Sequence, residues 1–563
     1  MSIIRPTTTG RSDISRIAAE VSAHVASGIF LDATLLDLLD VQVRERGNVE
    51  AVLDARESLT FAELRREIDT TAAHLIGAGI MSGQLVLVQM PNSADYLKVL
   101  FGCMVIGAVP VLMLISHRHR ELLHVARITG ATAIITVDEH LGVDHAAMAC
   151  RVAEELAVQV LVVGDRVPAG ARALYATTPG DLGAVAGPTV GDTALCLLSG
   201  GTTSAPKVIP RLHGAYACVA LASARRCQVT PDDTYLAVLS TSHDYPLSSP
   251  GVLGVLLNGG RVIMSVTASF DEVANWLETE EVTLVQAVPA VAAAWAQAAE
   301  QAPADLRAEW HIPTLVLGAA KVGTELASRL VKIFGCRIIQ GYGLGEGITC
   351  FTSPDDPDEI AWNTQGTPVS DQDEVRILDP QGNVLGPGEV GELVEKGPYT
   401  FHGYMGAPEL NAACFDNEGF FHTGDQAMIR HDGRVVITGR VHEQINRAGE
   451  NVIPSEVESL VAAHPDVNEV AVFGIPDSEM GEATCAVVTV FPGREQPTRA
   501  TMAAFLHASG VGAYKVPDRL VVVRAMPRKN IGKIDKLILR SQILGGAEAA
   551  GPSTGIEKKD NHE

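Results

Sequence analysis

From Leu198 to Arg211 the chain reads Leu-Ser-Gly-Gly-Thr-Thr-Ser-Ala-Pro-Lys-Val-Ile-Pro-Arg. These residue types suit a phosphate. Gly200 and Gly201 let backbone N–H groups come close, and Ser199, Thr202, Thr203 and Ser204 offer hydroxyl donors. Lys207 brings a compact positive charge. The segment is not a Walker A loop, which has a second glycine just before the lysine and Ser or Thr after it; Pro206 and Val208 stand there instead. A switch-type NTPase is therefore disfavoured, and a plain Gly/Ser turn between two strands is the alternative. A second cluster, Gln340-Gly341-Tyr342-Gly343-Leu344-Gly345-Glu346-Gly347, gives a ligand close backbone access at Gly341 and Gly343. Tyr342 offers a flat face for a base, and Glu346 a carboxylate for Mg²⁺. In His422-Thr423-Gly424-Asp425 the carboxylate of Asp425 can accept from both hydroxyls of a ribose diol, and Gly439-Arg440 follows. Each of these alone is more often a turn, a cap or a surface charge. In this order they describe a nucleotide site.

The elements that must hold these residues follow from pattern and composition. At 563 residues the chain exceeds one hydrophobic core, so at least two domains are expected. Short apolar runs at 85–89, 132–137, 158–163, 194–198, 236–239, 261–266, 284–288, 315–317 and 337–340 read as buried strands. Helical spacing recurs between several of them, as at 59–76 and from Ala94 on behind the cap Pro91-Asn92-Ser93. Doubly wound α/β layers are the expectation for the large domain, with the second glycine cluster in the loop after a strand over 337–339. Past Pro368, short strands and polar turns predict a small β-rich subdomain. After Arg440, a compact α+β unit has helices over 457–463 and 501–509 and strands over 469–474, 483–491 and 519–523. The expected organisation is a large domain over 1–440, a small mobile domain over 441–544 and a disordered tail over 545–563. The longest apolar run, 99–115, contains Gly102, Gly107 and Pro110 and reads as a buried helix, a turn and a strand, not a membrane span.

Charge and cysteines narrow the class. The 43 basic and 67 acidic residues give a net charge of −24, which repels a nucleic-acid backbone and obliges an anionic substrate to enter a locally positive cleft. Nine cysteines with no Cys-x-x-Cys pair, mostly in apolar surroundings, indicate reduced thiols and a cytoplasmic protein. The N-terminus has no secretory signal pattern.

Residues 199–207, Tyr342 to Glu346, Thr423-Gly424-Asp425, Gly439-Arg440, Arg447-Ala448-Gly449-Glu450 and Asn530-Ile531-Gly532-Lys533 resemble the ordered motifs of the adenylate-forming superfamily. That superfamily comprises acyl-CoA synthetases, peptide-synthetase adenylation domains and luciferases. Residues 198–211 together with His243-Asp244-Tyr245-Pro246-Leu247-Ser248-Ser249-Pro250-Gly251 are especially similar to the aryl-acid adenylating enzymes that activate 2,3-dihydroxybenzoate or salicylate. The resemblance implies ATP with Mg²⁺, attack of an aryl carboxylate on the α-phosphorus with loss of pyrophosphate, and transfer of the acyl group to a pantetheine thiol. Joining two anions requires positioning and positive charge more than a general base. On the resemblance, Lys533 bridges carboxylate and α-phosphate, His243 lies beside the carboxylate, and Gly318, Lys321 and Gly347 line the acid's pocket. Glu443 marks the hinge of the mobile domain, and Gly449 leaves room for the thiol's arm. With no carrier domain after Leu539, the acceptor is a carrier protein in trans or CoA. A basic patch of Arg447, Lys515, Arg519, Arg528 and Lys529 is a candidate to dock either one, on a monomer or homodimer. A catalytically silent ATP-binding protein is the reading from another class, against which Lys533, Glu346 and Asp425 stand intact.

In the resembling enzymes an asparagine occupies position 244 and contacts the ortho-hydroxyl; here it is Asp244. An ortho-hydroxybenzoate turns its O–H to its own carboxylate and presents lone pairs, which an ionised carboxylate repels. An ortho-amino group has a second hydrogen to give. A buried mismatch of this kind costs about 1–3 kcal/mol, enough to invert the preference. Ser249 suits a further polar substituent, so 3-hydroxyanthranilate is the expected acid, with 2,3-dihydroxybenzoate, salicylate or a free-standing aryl-CoA ligase as alternatives. Two plainer roles for Asp244 stay open here: a protonated carboxyl that imitates asparagine, or a cap on a helix over 246–255.

Overall fold

The computed structural model describes residues 11–199, 206–303, 306, 310–319, 322–441, 445–527, 534 and 536–548. Among the expected site residues, Gly200, Gly201, Thr202, Thr203, Lys321, Glu443 and Lys533 lie outside these, as does the side chain of Arg440. The chain divides into two compact units, one built from most of the chain up to His442 and the other from Glu443 onwards.

The larger unit is mixed α/β. A seven-stranded sheet runs in the order Lys207–Leu212, Thr193–Ser199, Val109–Leu112, Leu85–Gln89, Ala133–Val137, Gln159–Val163, Ala171–Ala173. It is parallel except for the first pair, a hairpin. A nine-stranded sheet has a parallel centre in the order Arg337–Gly343, Thr314–Leu317, Leu284–Ala287, Thr234–Ala237, Arg261–Met264, Glu50–Leu53. Its strands are buried apolar runs such as Leu236, Ile263, Val285 and Leu315, as expected for sheets covered by helices on both faces. A four-stranded antiparallel sheet, Glu374–Leu378, Gly391–Lys396, Phe421–Ile429 and Val435–Arg440, forms the small β subdomain. The long apolar run resolves into the helix Ala94–Val105 and the strand Val109–Leu112, turned at Gly107 with φ +68°. Among the described residues no helix is long and apolar enough to cross a membrane. All nine cysteines are free thiols.

One clamp ties the two large sheets together where the site lies. Asn92, just before the helix Ala94–Val105, donates from Nδ2 to the carbonyls of Ala237 (3.0 Å) and Leu239 (2.8 Å). Its Oδ1 accepts from the Thr241 N–H at 2.9 Å. The Tyr96 hydroxyl donates to the Thr241 carbonyl at 3.0 Å. Each bond satisfies a buried polar group that would otherwise cost about 1–3 kcal/mol, and together they fix the turn that delivers His243 and Asp244.

The structure departs from the expected elements in three places. The strand expected to end before the second glycine cluster continues through it, as Arg337–Gly343, because Gly341, Tyr342 and Gly343 pair with Phe351, Cys350 and Thr349. The helix expected over 246–255 is broken into Asp244–Ser248 and Gly251–Leu256 by a cis Ser249–Pro250 bond and Gly251 at φ +54°. A Cβ at Gly251 would lie 2.3 Å from the Pro246 carbonyl oxygen, so only glycine fits. The helix Lys536–Glu548 runs past residue 545, where a tail was expected to begin.

The smaller unit is a five-stranded sheet. Glu450–Val452, Ile445–Arg447, Gly481–Val490 and Val467–Asp477 are antiparallel neighbours, with Arg519–Val522 parallel to Gly481–Val490. Helices Pro454–Ala462 and Arg499–Ala508 contribute Val457, Val461, Met502 and Leu506 to its core.

Candidate active site

The phosphate-type loop is closed by its hairpin. Ser199 and Lys207 are cross-strand partners, and both are half-buried. The Lys207 ammonium stands 4.3 Å from the centroid of the Tyr404 ring, and the Met405 N–H donates to the Val208 carbonyl at 2.9 Å, which stitches that segment to the hairpin. The Tyr404 hydroxyl in turn donates to Glu346 Oε1 at 2.8 Å. Burial and the Glu346 charge push the Tyr404 hydroxyl far above its ordinary value, so it stays a donor. Lys207, Tyr404 and Glu346 thus form one cluster.

Glu346 sits in the turn after the strand Arg337–Gly343. The turn is closed by the Leu344 N–H to Ile348 carbonyl bond (3.0 Å) and the Gly347 N–H to Leu344 carbonyl bond (3.1 Å). A glycine of the strand and a glycine of the turn are each closely backed. A Cβ at Gly341 would lie 2.2 Å from the Phe351 ring, and one at Gly347 would lie 2.0 Å from Glu395 Oε1. Among the described residues no group of three or more carboxylates, histidines or cysteines could hold a metal unaided. Glu346 is 6 % exposed, and a lone carboxylate of this kind can share a cation such as Mg²⁺ with phosphate oxygens. On the four-stranded sheet, Asp425 is 3 % exposed, pairs with Arg440 across the strands, and accepts from the Tyr342 hydroxyl at 2.7 Å on Oδ2. Gly424, at φ +71°, makes the bend before it.

The acid-binding candidates cluster around the short helix Asp244–Ser248. His243 is its N-cap residue and is half-buried. The Tyr245 hydroxyl donates to the Val316 carbonyl at 3.0 Å, and its ring lies against Gly318, where a Cβ would approach within 2.8 Å. Ser249 is buried; its carbonyl accepts from Gln286 Nε2 at 2.6 Å, and its hydroxyl lies 3.4 Å from that of Ser248. Asp244 does not cap the helix. Its Oδ1 accepts from the Tyr216 hydroxyl at 2.8 Å and from the Ser248 hydroxyl at 3.1 Å. Among the described residues none donates to Oδ2, and the side chain is only half-buried. Enclosure by protein raises the Asp244 carboxyl above its ordinary value, while the Arg211 charge and the two hydroxyls favour the ionised form.

Gly345 joins the two halves. Its carbonyl accepts from Arg211 Nη1 at 2.7 Å, and a Cβ there would lie 3.4 Å from Leu197 and Ile209 of the hairpin and 3.9 Å from Asp244 Cβ. Gly345 therefore links the hairpin that carries Ser199 and Lys207, the turn that carries Glu346 and Gly347, and Asp244, while Tyr342, on the strand before that turn, reaches Asp425 on the four-stranded sheet through its hydroxyl. Gly449 belongs to the smaller unit, at φ +88°, with its N–H donating to Asn446 Oδ1 at 3.3 Å.

The proposed basic patch needs correction. Arg447 is spent on a bidentate pair with Asp518, both bonds 2.7 Å. Lys515 is 5 % exposed and paired with Glu456 at 2.7 Å. Lys515 is buried and needs its partner, and the half-buried Arg447 is neutralised by Asp518, so neither offers a free surface charge. Arg519 is exposed, and Arg528 and Lys529 lie outside the described residues. Sequence reading did not single out Tyr216, Tyr404 or Glu395. Only the fold brings each to the site, from 28 residues away in the case of Tyr216 and Asp244.

The AMP-binding enzyme family matches residues 39–405, and the AMP-binding enzyme C-terminal domain matches residues 456–533. The chain is 38 % identical to a 2,3-dihydroxybenzoate-AMP ligase of Bacillus subtilis, covering 92 % of this chain and 95 % of that one. It is also 38 % identical to a salicyl-AMP ligase / salicyl-S-ArCP synthetase of Mycobacterium tuberculosis, over 95 % of each. The apo structure of MbtA from Mycobacterium smegmatis superposes with a TM-score of 0.70 at 36 % identity, covering 93 % of this chain and 98 % of that one.

Proposed function

Because the chain belongs to the AMP-binding enzyme family and is an ATP-dependent aryl-acid adenylating ligase, we propose that its acid carries an amino group ortho to the carboxylate, with 3-hydroxyanthranilate as the preferred substrate. The observation that carries this reading is the state of Asp244: two hydroxyls occupy Oδ1, while Oδ2 takes no hydrogen bond from a described residue. A carboxylate oxygen accepts and does not donate, so it favours an N–H over the lone pairs of an internally bonded phenol. The Ser249 hydroxyl, beside that of Ser248, is available to a 3-hydroxyl.

In this reading an oxygen of the acid's carboxylate bonds to the α-phosphorus of ATP as the bond to the bridging oxygen breaks, and pyrophosphate leaves. A pantetheine thiol then adds to the acyl carbon, and AMP departs as the thioester forms. The hairpin loop with Ser199, Gly200, Gly201, Thr202, Thr203 and Lys207 holds the phosphates. Gly341 and Gly343 give the nucleotide close approach, Tyr342 faces the base, and Asp425 takes the ribose diol with Arg440 nearby in the sheet. Mg²⁺, when bound, neutralises phosphate charge, and Glu346 is its protein ligand. His243 and Tyr245 flank the acid, Gly318, Lys321 and Gly347 line its pocket, and Lys533 bridges carboxylate and α-phosphate. Glu443 is the hinge and Gly449 admits the thiol arm. The acceptor is a carrier protein in trans, in keeping with the salicyl-S-ArCP synthetase among the relatives, or CoA. Nine unpaired thiols suit a reducing cytoplasm.

A second reading, 2,3-dihydroxybenzoate or salicylate, is favoured by the names of the relatives and by the burial that raises the Asp244 pKa, since a protonated carboxyl donates as asparagine does. ATP–pyrophosphate exchange decides between them, comparing 3-hydroxyanthranilate, anthranilate, 2,3-dihydroxybenzoate and salicylate on wild type and Asp244→Asn. The amino acids should lead by kcat/KM on wild type and lose that lead in the variant. Preference of the wild type for the hydroxy acids would overturn the ortho-amino reading.

A further inference from the structure

We propose that Tyr216 is a positioning residue that sets which group of residue 244 the aryl acid meets; the inference rests on the aryl-acid reading of Asp244 given above. Tyr216 lies in the helix His213–Arg226, fully buried, with its hydroxyl 2.8 Å from Asp244 Oδ1. Its acidity is suppressed by burial and by the neighbouring Asp244 charge, so the hydroxyl donates at every working pH. The Arg211 guanidinium stands 5.4 Å from its ring centroid while bonded to the Gly345 carbonyl, and so backs the ring from the side of the nucleotide turn. Ser248 supplies a second donor to the same oxygen.

Two hydroxyl donors converging on one oxygen do more than hold a side chain. They select an oxygen for the inner position and leave the other terminal group to face the cleft. With aspartate that outer group is Oδ2, an acceptor. In an Asp244→Asn variant the same donors claim the amide oxygen, because the NH₂ group cannot accept from them. The outer group then becomes a donor. Tyr216 therefore fixes the polarity of the acid pocket through residue 244 without touching the acid. Whichever residue stands at 244, loss of the tyrosine hydroxyl frees it to rotate and weakens the discrimination it imposes.

The test is a double-mutant cycle read as the ratio of kcat/KM for 3-hydroxyanthranilate over 2,3-dihydroxybenzoate, two acids of nearly equal shape. Tyr216→Phe should draw the ratio toward one from opposite sides, lowering it in wild type and raising it in Asp244→Asn, by about fivefold to tenfold each. The effect should fall on the KM for the acid, with the KM for ATP unchanged. A merely structural role would move both ratios the same way, or neither, and would overturn the proposal. Ser248→Ala, run in the same two backgrounds, should show the same pair of signs with smaller size, and it serves if Tyr216→Phe is not recovered folded. If wild type prefers the hydroxy acid while Tyr216→Phe still draws both ratios toward one, the ortho-amino reading fails and the positioning role stands.

Discussion

Glu395 is 1 % exposed, with one oxygen accepting from the Thr400 hydroxyl at 2.7 Å and the other, Oε1, without a partner among the described residues. Burial raises its carboxyl to about 8 and that of nearby Asp373, which accepts from the Tyr399 hydroxyl, to about 7. The sign for stability follows. Below about 4.5, the ordinary glutamate value, both folded and unfolded chains hold the Glu395 proton. As pH rises toward 8 the unfolded chain releases it first, so stability falls across that window at up to about 1.4 kcal/mol per pH unit. Glu395→Gln removes this slope. Its Tm should gain on wild type steadily from about pH 5 to pH 8 in thermal melts, whatever the absolute offset, and parallel Tm curves would refute the assignment. No signal in the sequence marks Glu395 as buried: it lies in a Gly-Glu-Leu-Val-Glu-Lys stretch where charged residues flank the apolar pair Leu393-Val394. Asp244 stood out only against the asparagine of the resembling enzymes, and of the two hydroxyls that bond it, Ser248 is four residues on while Tyr216 is brought in by the fold from 28 residues away.

At the scale of elements, the strands were legible because parallel sheets covered on both faces are written as uninterrupted apolar runs. Leu85–Gln89 and Gln159–Val163 are examples, recovered to within a residue or so. Elements were misread where backbone pairing overrode composition. The glycines at 341 and 343 look like a loop but are strand residues, because an antiparallel neighbour pairs with them and Phe351 fills the space a side chain would need. The turn beyond them is similarly constrained from behind. Gly347→Ala drives a methyl into Glu395 and should cost about 1–3 kcal/mol with a matching drop in Tm. Adding Glu395→Ser should restore most of that loss, more than the two single changes summed would allow; additivity of the two would show that the contact does not govern the turn.

At the scale of the molecule, a charge of −24 surrounds a site that must admit two anions. The local cations, Lys207 and Arg211, act at short range, while the diffuse repulsion reaches about 30 Å in 10 mM salt and about 8 Å in 150 mM. The kcat/KM for ATP should therefore rise over that span of ionic strength, and a several-fold fall would show that the cleft's own positive field dominates instead. Each of the two units carries its own apolar core. Gly345 adds a property that no single residue has. Arg211 bonds its carbonyl from the hairpin, and the Asp244 side chain and the hairpin's Leu197 and Ile209 line the space beside it. On the proposed assignment the acid's pocket and the phosphate hairpin share this glycine. Any coupling between the two substrates then passes through this glycine, and by thermodynamic reciprocity the factor by which nucleotide tightens the acid is the factor by which the acid tightens nucleotide. An enzyme so built need not enforce an order of arrival to bring its two substrates together.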